Sequence, residues 1–455
     1  MSSDTSYVSD RVAPSVIRYS QMTPLSFSAK TSQKLFFPSN NASYNQDNNI
    51  IRIQISSGNS FLNGAESYLK LQFTNKNITA GCTYTASNSW HSLIERVRII
   101  ASSGQELEKI MNYVQTHAML CDLLISPEKR MSYLQEGYSQ ASQPTFTNCG
   151  MAGAGTTAVE VNTALRTLKS DPVTLGCNEM SVAKDGVCQI YLPLSLSQLL
   201  GSNKKLIPLF LCGELTLEMT LASKPCIVSV NTTPQLFEVA NVAYCASLTE
   251  FGGSVNSALT SMVASSGLFL HATCWASQKL TLAPNSSSWI NSERLRSVKS
   301  IFVTFTDDVS AWGAGKRITS RVTNNLQSFQ IKVGSDYLPI QPLRADSTNP
   351  YACGVYLNEA YKALGSYQDP NHQGLVNIYN FASDANELTK VGRAVYAVDC
   401  DSFGTCDCES GLNTIISNPI TFLMEGQTLA VSAISHLLYD CVFELTNTGQ
   451  FLVSR

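Results

Sequence analysis

The sequence predicts an all-β protein built as two tandem eight-stranded jelly-roll β-sandwiches, with short helices in the loops. Three observations carry this reading. Period-two strand patterns recur through the 455 residues, and the order strands, hairpin, helix, strand, turn, strand occurs twice. Charged residues make up only 14% of the chain, well below the roughly 25% of ordinary soluble domains, and Ser, Thr, Asn and Gln stand in their place. A chain this long exceeds what one core sustains, so more than one domain is required. Eight-stranded sandwiches with long, variable loops at one end are jelly rolls.

Residues 1–46 are polar and turn-rich, ending in FFPSNNASYNQDNN, and are expected to form an extended N-terminal arm. A first jelly roll is expected over 47–236 with a long insertion at about 111–186. A second is expected over 237–455 with a long loop at about 384–430. The first strand, IIRIQIS, alternates Ile51, Ile53 and Ile55 with Arg52 and Gln54. FLNGAESYLKLQF follows, with Leu69, Leu71 and Phe73 toward a core and Lys70 and Gln72 away from it. IIRIQIS is its expected partner. Residues 90–100 give another strand, returned by Ser102-Ser103-Gly104 through Leu107 as a hairpin.

From about 107 to 137 the period lengthens. Ile110, Met111, Val114, Leu120, Leu123 and Leu124 recur at helical intervals, and Ser126-Pro127-Glu128 starts a second short helix. Residues 138–186 are rich in Gly, Ser, Thr and Asn and read as a loop. VCQIYLPLS, a helical turn closed by Gly201, and GELTLEMTL complete the first unit. In the second unit the strand candidates are GLFLHATCW, VKSIFVTFT, FQIKV, YLPIQPL, IYNF and HLLYDCVFEL, with a helix at LNEAYKALG. The hairpin at Ile99–Gly104 matches that at Ile331–Ser335. The strands centred on Leu217 and Phe443 are matched as the last of each unit, and QIYLPLS is paired with NIYNFAS.

The chemistry-bearing residues form no recognisable site. His91, His117, His271, His372 and His436 include no HxH, HExxH or HxxxH spacing, and His271 and His436 sit on strand patterns. No G-x-S-x-G elbow exists. Gly313-Ala314-Gly315-Lys316 departs from a phosphate loop at Ser310 and Arg317. DCDSFGTCDCES places Asp399, Asp401, Gly404 and Asp407 in calcium-loop register, but Phe403 and Ser410 break it. Cys400, Cys406 and Cys408 lack a fourth ligand at zinc spacing, so an exposed polar loop is the expectation, with a disulfide after release into an oxidising environment as the alternative. The fourteen cysteines otherwise read as buried thiols. The sequons at Asn41, Asn77, Asn231 and Asn285 read as chance. Catalytic, cofactor-binding and metal-binding residues are therefore expected to number none. A net charge of −3 without basic runs gives no reason to coat nucleic acid. No segment approaches a membrane span, and the first residues lack the apolar core of a signal peptide.

IRIQISSGNSFLNGAESYLKLQF, WHSLIERVRIIASSGQELEKI and YLPLSLSQLLGSNKKLIPLFLCGELTLEMTL resemble the first barrel of double jelly-roll major capsid proteins. NNLQSFQIKVGSDYLPIQPL, YLNEAY, LVNIYNFASDANE, SGLNTIISNPITF and HLLYDCVFELTNTGQFLVSR resemble the second. The likeness is nearest to virophage and Polinton-like virus capsid proteins, in the lineage of adenovirus hexon. It implies a structural major capsid protein whose homotrimers form pseudo-hexagonal capsomers tiling an icosahedral shell. It also implies a location in the virion, penton and minor or cement capsid proteins as partners, and no enzymatic activity. The arm is expected on the inner side, tying neighbouring capsomers. The competing readings are a carbohydrate-binding or adhesive β-sandwich, a minor capsid or spike protein on the same fold, and a β-sandwich hydrolase. The dispersed tryptophans and the broken calcium loop speak against the first of these.

Overall fold

The computed structural model describes residues 29–79, 82, 84–126, 136, 181–203, 205–228, 235–307, 318–345, 352–367, 369, 374–381, 392–401, 410–415, 419–427, 430–446 and 450–455. The first roll contains β1 (Ala29–Phe36), β2 (Ile50–Ile55), β3 (Phe61–Asn75), β4 (Ile94–Ala101), β5 (Glu106–Ile110), β6 (Val187–Leu192), β7 (Leu215–Leu221) and β8 (Phe237–Phe251). The second contains β9 (Leu268–Leu282), β10 (Ser288–Asn291), β11 (Val298–Asp307), β12 (Ser328–Val333), β13 (Asp336–Arg344), β14 (Tyr396–Asp399), β15 (Ile420–Glu425) and β16 (Val431–Leu445). A last strand, β17 (Phe451–Ser454), pairs with β16. Three helices matter below: α1 (Tyr113–Leu124), α2 (Gly253–Ser266) and α3 (Gly354–Ala363).

The sheet orders are β1-β8-β3-β6 and β2-β7-β4-β5 in the first roll, then β9-β16-β11-β14 and β10-β15-β12-β13 in the second. Each of the eight strands β1–β8 has its counterpart eight labels later, at the same place in its sheet. The chain is therefore one jelly-roll plan used twice.

Strand β3 shows how the sequence dictates this. Leu69, Leu71 and Phe73 are buried, and Lys70 and Gln72 between them are half-buried. Phe73 meets Phe237 of the same sheet at 5.7 Å between ring centroids and Trp90 at 4.9 Å. Burying each such side chain stabilises the roll by about 1.5–3 kcal/mol. The strand after IIRIQIS does not pair with it, however. β2 pairs with β7 in one sheet, and β3 pairs with β8 and β6 in the other. A short connection between two inward-facing strands allows either a hairpin or a crossing between layers, and the pattern of each strand alone is the same in both.

The expected boundaries also move. Residues 29–36, assigned by sequence to the arm, form β1, in register from Ala29 opposite Phe251 to Phe36 opposite Tyr244. AKTSQKLF reads as polar because this is an edge strand, with Phe36 alone fully buried. The first roll likewise runs past 236, because β8 belongs to it. β8 is buried on both faces over much of its length, and Asn241 in the left-handed region (φ 50°) sits at a break in register between Ala240 and Ala243. Two-sided burial and a bulge erase the alternation that marks a strand.

In the second roll, Ile378–Phe381 is a short helix, not a strand. β14 and β15 fall inside the stretch read as a loop at 384–430, so the long connection lies between β13 and β14. The hairpins β4-β5 and β12-β13 are true counterparts. Leu217 in β7 and Phe443 in β16 are not, since β7 corresponds to β15. QIYLPLS begins in β6, whose counterpart is β14. Ser126 is described, but the rest of the helix start at Ser126-Pro127-Glu128 lies outside the described residues. So does most of the loop 138–186.

Candidate assembly interface

The two rolls meet along a seam built mainly from β5 and α1 of the first and β9, β16 and the chain near 320 and 393 of the second. Strand β5 leads into α1, whose apolar residues recur at helical spacing and are buried almost throughout. α1 is held against the second roll by polar contacts. Asn112, before its first turn, donates from Nδ2 to Ser277 Oγ at 3.3 Å, and Ser277 Oγ donates to the Met111 carbonyl. Thr116 Oγ1 lies 2.8 Å from His436 Nδ1, and Thr304 Oγ1 lies 3.1 Å from His436 Nε2.

At the last turn of α1, Asp122 accepts from two guanidinium groups of the second roll. Its carboxylate oxygens lie 2.8 Å from Arg321 Nη2 and 2.8 Å from Arg393 Nη1, and all three side chains are at most 3% exposed. The backbone carbonyl of Asp122 accepts from Leu375 and Val376 as well. Among the described residues, Nε and Nη1 of Arg321 have no hydrogen-bond partner. Further along the seam, Ser87 and Thr319 hydroxyls meet at 3.1 Å, and Arg455 Nη2 donates to the carbonyls of Glu106 and Leu107. Burial pushes the Glu108 carboxyl up, opposed by donors from Gln198 N, Ser197 Oγ and Leu199 N.

His436 is completely buried, and this desolvation, aided by the nearby Arg321 charge, pushes its pKa down to about 3. The folded value lies below the unfolded one of about 6.5, so its contribution is intact above that pH and is lost as pH falls toward 3. Between pH 6 and 4, wild-type protein is expected to lose on the order of 1 kcal/mol per pH unit through this group. Urea unfolding of His436→Gln across the same range should show a slope shallower by that amount. Equal slopes would remove His436 from the acid response.

The histidines expected in strands, His271 and His436, lie on β9 and β16. Sequence spacing did not suggest that His91 and His117 come together, yet their rings stack with centroids 3.8 Å apart. Tyr113 Oη lies 3.4 Å from His91 Nδ1 and Glu136 Oε2 lies 3.1 Å from His91 Nε2. Cys121 Sγ is 3.6 Å from the His117 ring, one helical turn along α1. The four-residue spacing of His117 and Cys121 was the signal available. Among the described residues no group of three or more His, Cys, Asp or Glu is placed to hold a metal.

Cys400 is buried, whereas Cys406, Cys408 and most of their loop lie outside the described residues, as do Gly313-Ala314-Gly315-Lys316 and His372. The described cysteines are all buried except Cys188, which is half-buried. Trp90, Trp275 and Trp289 are buried and form no exposed platform. No described helix is long and apolar enough to cross a membrane.

The counterparts of the seam elements on the free sides of the molecule are open. Ile340 on β13 is 89% exposed, and Tyr337 beside it and Val355 on α3 are exposed. On the other side, Leu35 of β1 is 47% exposed and the adjoining Phe37 64%.

No protein-family model matches the chain, and no curated protein matches it. Solved structures do. A chain of the quasi-atomic model of the PBCV-1 virus capsid aligns with a TM-score of 0.57 at 12% identity, covering 96% of this chain and 99% of that one. A chain of the Sputnik virophage structure aligns at 0.52 and 10% identity, covering 97% and 91%. The Faustovirus major capsid protein aligns at 0.52 and 9% identity, covering 96% and 94%. The likeness extends over nearly the whole length of each, and establishes a shared fold.

Proposed function

We propose that this chain is a structural major capsid protein whose homotrimers form pseudo-hexagonal capsomers of an icosahedral viral shell, without catalytic activity. The observation that carries this reading is the repeated plan together with its single internal seam. Two like rolls in one chain, joined side by side, make one third of a six-roll ring. The seam elements of the first roll, β5 and α1, have counterparts β13 and α3 on the far side of the second. The elements they engage, β9 and β16, have counterparts β1 and β8 on the far side of the first. On this reading, a head-to-tail contact that repeats the internal seam between copies makes a closed ring of three chains and six rolls, not an open filament.

The chemistry agrees. Few charges keep many identical copies from repelling one another, and long connections such as that between β13 and β14 vary without disturbing the cores. The fold shared with the PBCV-1, Sputnik and Faustovirus chains supports the same conclusion. The virion is its location on this reading. Its partners are further copies of itself, neighbouring capsomers, penton proteins and minor or cement proteins.

The mass in solution tests the proposal. Light scattering of the purified chain is expected to give a particle of three 49.5 kDa subunits. A monomer at all concentrations would refute it.

A further inference from the structure

An apolar groove of about 600 Å³ lies where the two rolls are joined, roofed by α2 and walled by Phe61, Phe251, Phe269 and Phe443. Its volume falls in the range, roughly 300–1,000 Å³, that encloses a sizeable apolar group. Its lining is left partly uncovered: Met262 is 51% exposed, Phe269 50% and Val255 36%. Isolated apolar residues at a surface need no explanation, but a contiguous set lining a concavity does.

The chain supplies an occupant at the right place. β1 starts at Ala29, whose register partner is Phe251, a wall of the groove. Residues 1–28 therefore join the described chain at the groove's rim. The part nearest this junction, QMTPLSFS (21–28), carries Met22, Leu25 and Phe27, with Leu25 and Phe27 alternating with Ser26 and Ser28. An extended chain advances at most about 3.3–3.6 Å per residue, so these three side chains lie within reach without a long linker. Tethering at the rim gives them a high local concentration over any free competitor.

We propose that the groove under α2 is the docking site of the chain's own N-terminal segment, with Met22, Leu25 and Phe27 as the inserted side chains. This is independent of trimer formation, because both halves of the contact belong to one chain.

The test uses a synthetic peptide of residues 1–28, fluorescently labelled, with full-length protein and a chain beginning at Ala29. The peptide should bind the shortened chain and bind full-length protein at least tenfold more weakly, because the groove there is filled. Met262→Glu in the shortened chain should weaken binding at least tenfold. Equal binding to both chains, no binding, or binding indifferent to Met262→Glu would each overturn the proposal. Hydrogen exchange of full-length protein gives a second reading that needs no truncation. Leu25→Glu together with Phe27→Glu should speed exchange in α2 at any protein concentration, and unchanged exchange would overturn docking of the segment in the groove. Recruitment of anionic lipid vesicles by the shortened chain, with no affinity for the peptide, would instead assign the groove to a membrane surface.

Discussion

Asp122→Ala is expected to cost about 3–5 kcal/mol, the penalty of leaving buried charges without their partner. Two guanidinium groups, each at most 3% exposed, converge on this one carboxylate. Removing it takes away the carboxylate that two buried like charges share, and among the described residues Arg321 Nε and Nη1 already lack a hydrogen-bond partner. The substitution spares the backbone carbonyl that accepts from Leu375 and Val376, so the loss reads the charges and not the local chain path. Urea unfolding should show the lower stability, and hydrogen exchange should accelerate in α1 and near Arg321. The triple change Asp122→Leu, Arg321→Met, Arg393→Met should recover most of the loss, since apolar replacement of a complete buried ion cluster is often neutral or stabilising. If Asp122→Ala is as stable as the wild type, the cluster does not hold the rolls together.

That cluster is also invisible in the sequence alone. β3, β7 and β11 were legible because one face of each is buried and the other is not, or because β-branched and aromatic residues crowd a short run. α1 was legible from its changed period. β1 and β8 were not, for opposite reasons: β1 is an edge strand with almost nothing buried, and β8 is buried on both sides with a bulge at Asn241. Layer assignment failed for β2 and β3 because alternation states which way a side chain points and not which sheet carries it. Asp122, Arg321 and Arg393 are far apart in sequence, and each is an unremarkable charged residue where it stands. Only the packing of α1 on the second roll makes them a unit. The resemblance to double jelly-roll capsid proteins anticipated the architecture that these local patterns left incomplete.

Leu35→Glu and Ile340→Glu should each turn the expected trimer into a monomer, with the unfolding free energy of the single chain changed by no more than about 0.5 kcal/mol. Both side chains are exposed in the single chain, so neither supports the fold of its own roll. Ile340 stands on β13, the counterpart of β5, and Leu35 on β1, the counterpart of β9. Inside one chain β5 packs beside β9, so between copies β13 of one should pack beside β1 of the next. A carboxylate on either strand would then be desolvated without a partner in the contact. The two variants damage opposite sides of a head-to-tail interface, and this gives a sharper outcome than loss of assembly alone. Each variant keeps one intact side, and the intact sides are complementary. Mixing them should therefore produce a one-to-one dimer that cannot grow to a ring, because its outer sides are the damaged ones. Sedimentation of the separate and mixed variants reads this directly. An isologous contact, in which the same patch meets itself, predicts no such dimer. Trimers persisting in either variant would show that the copies meet through other surfaces, and that the internal seam is not the template of the assembly.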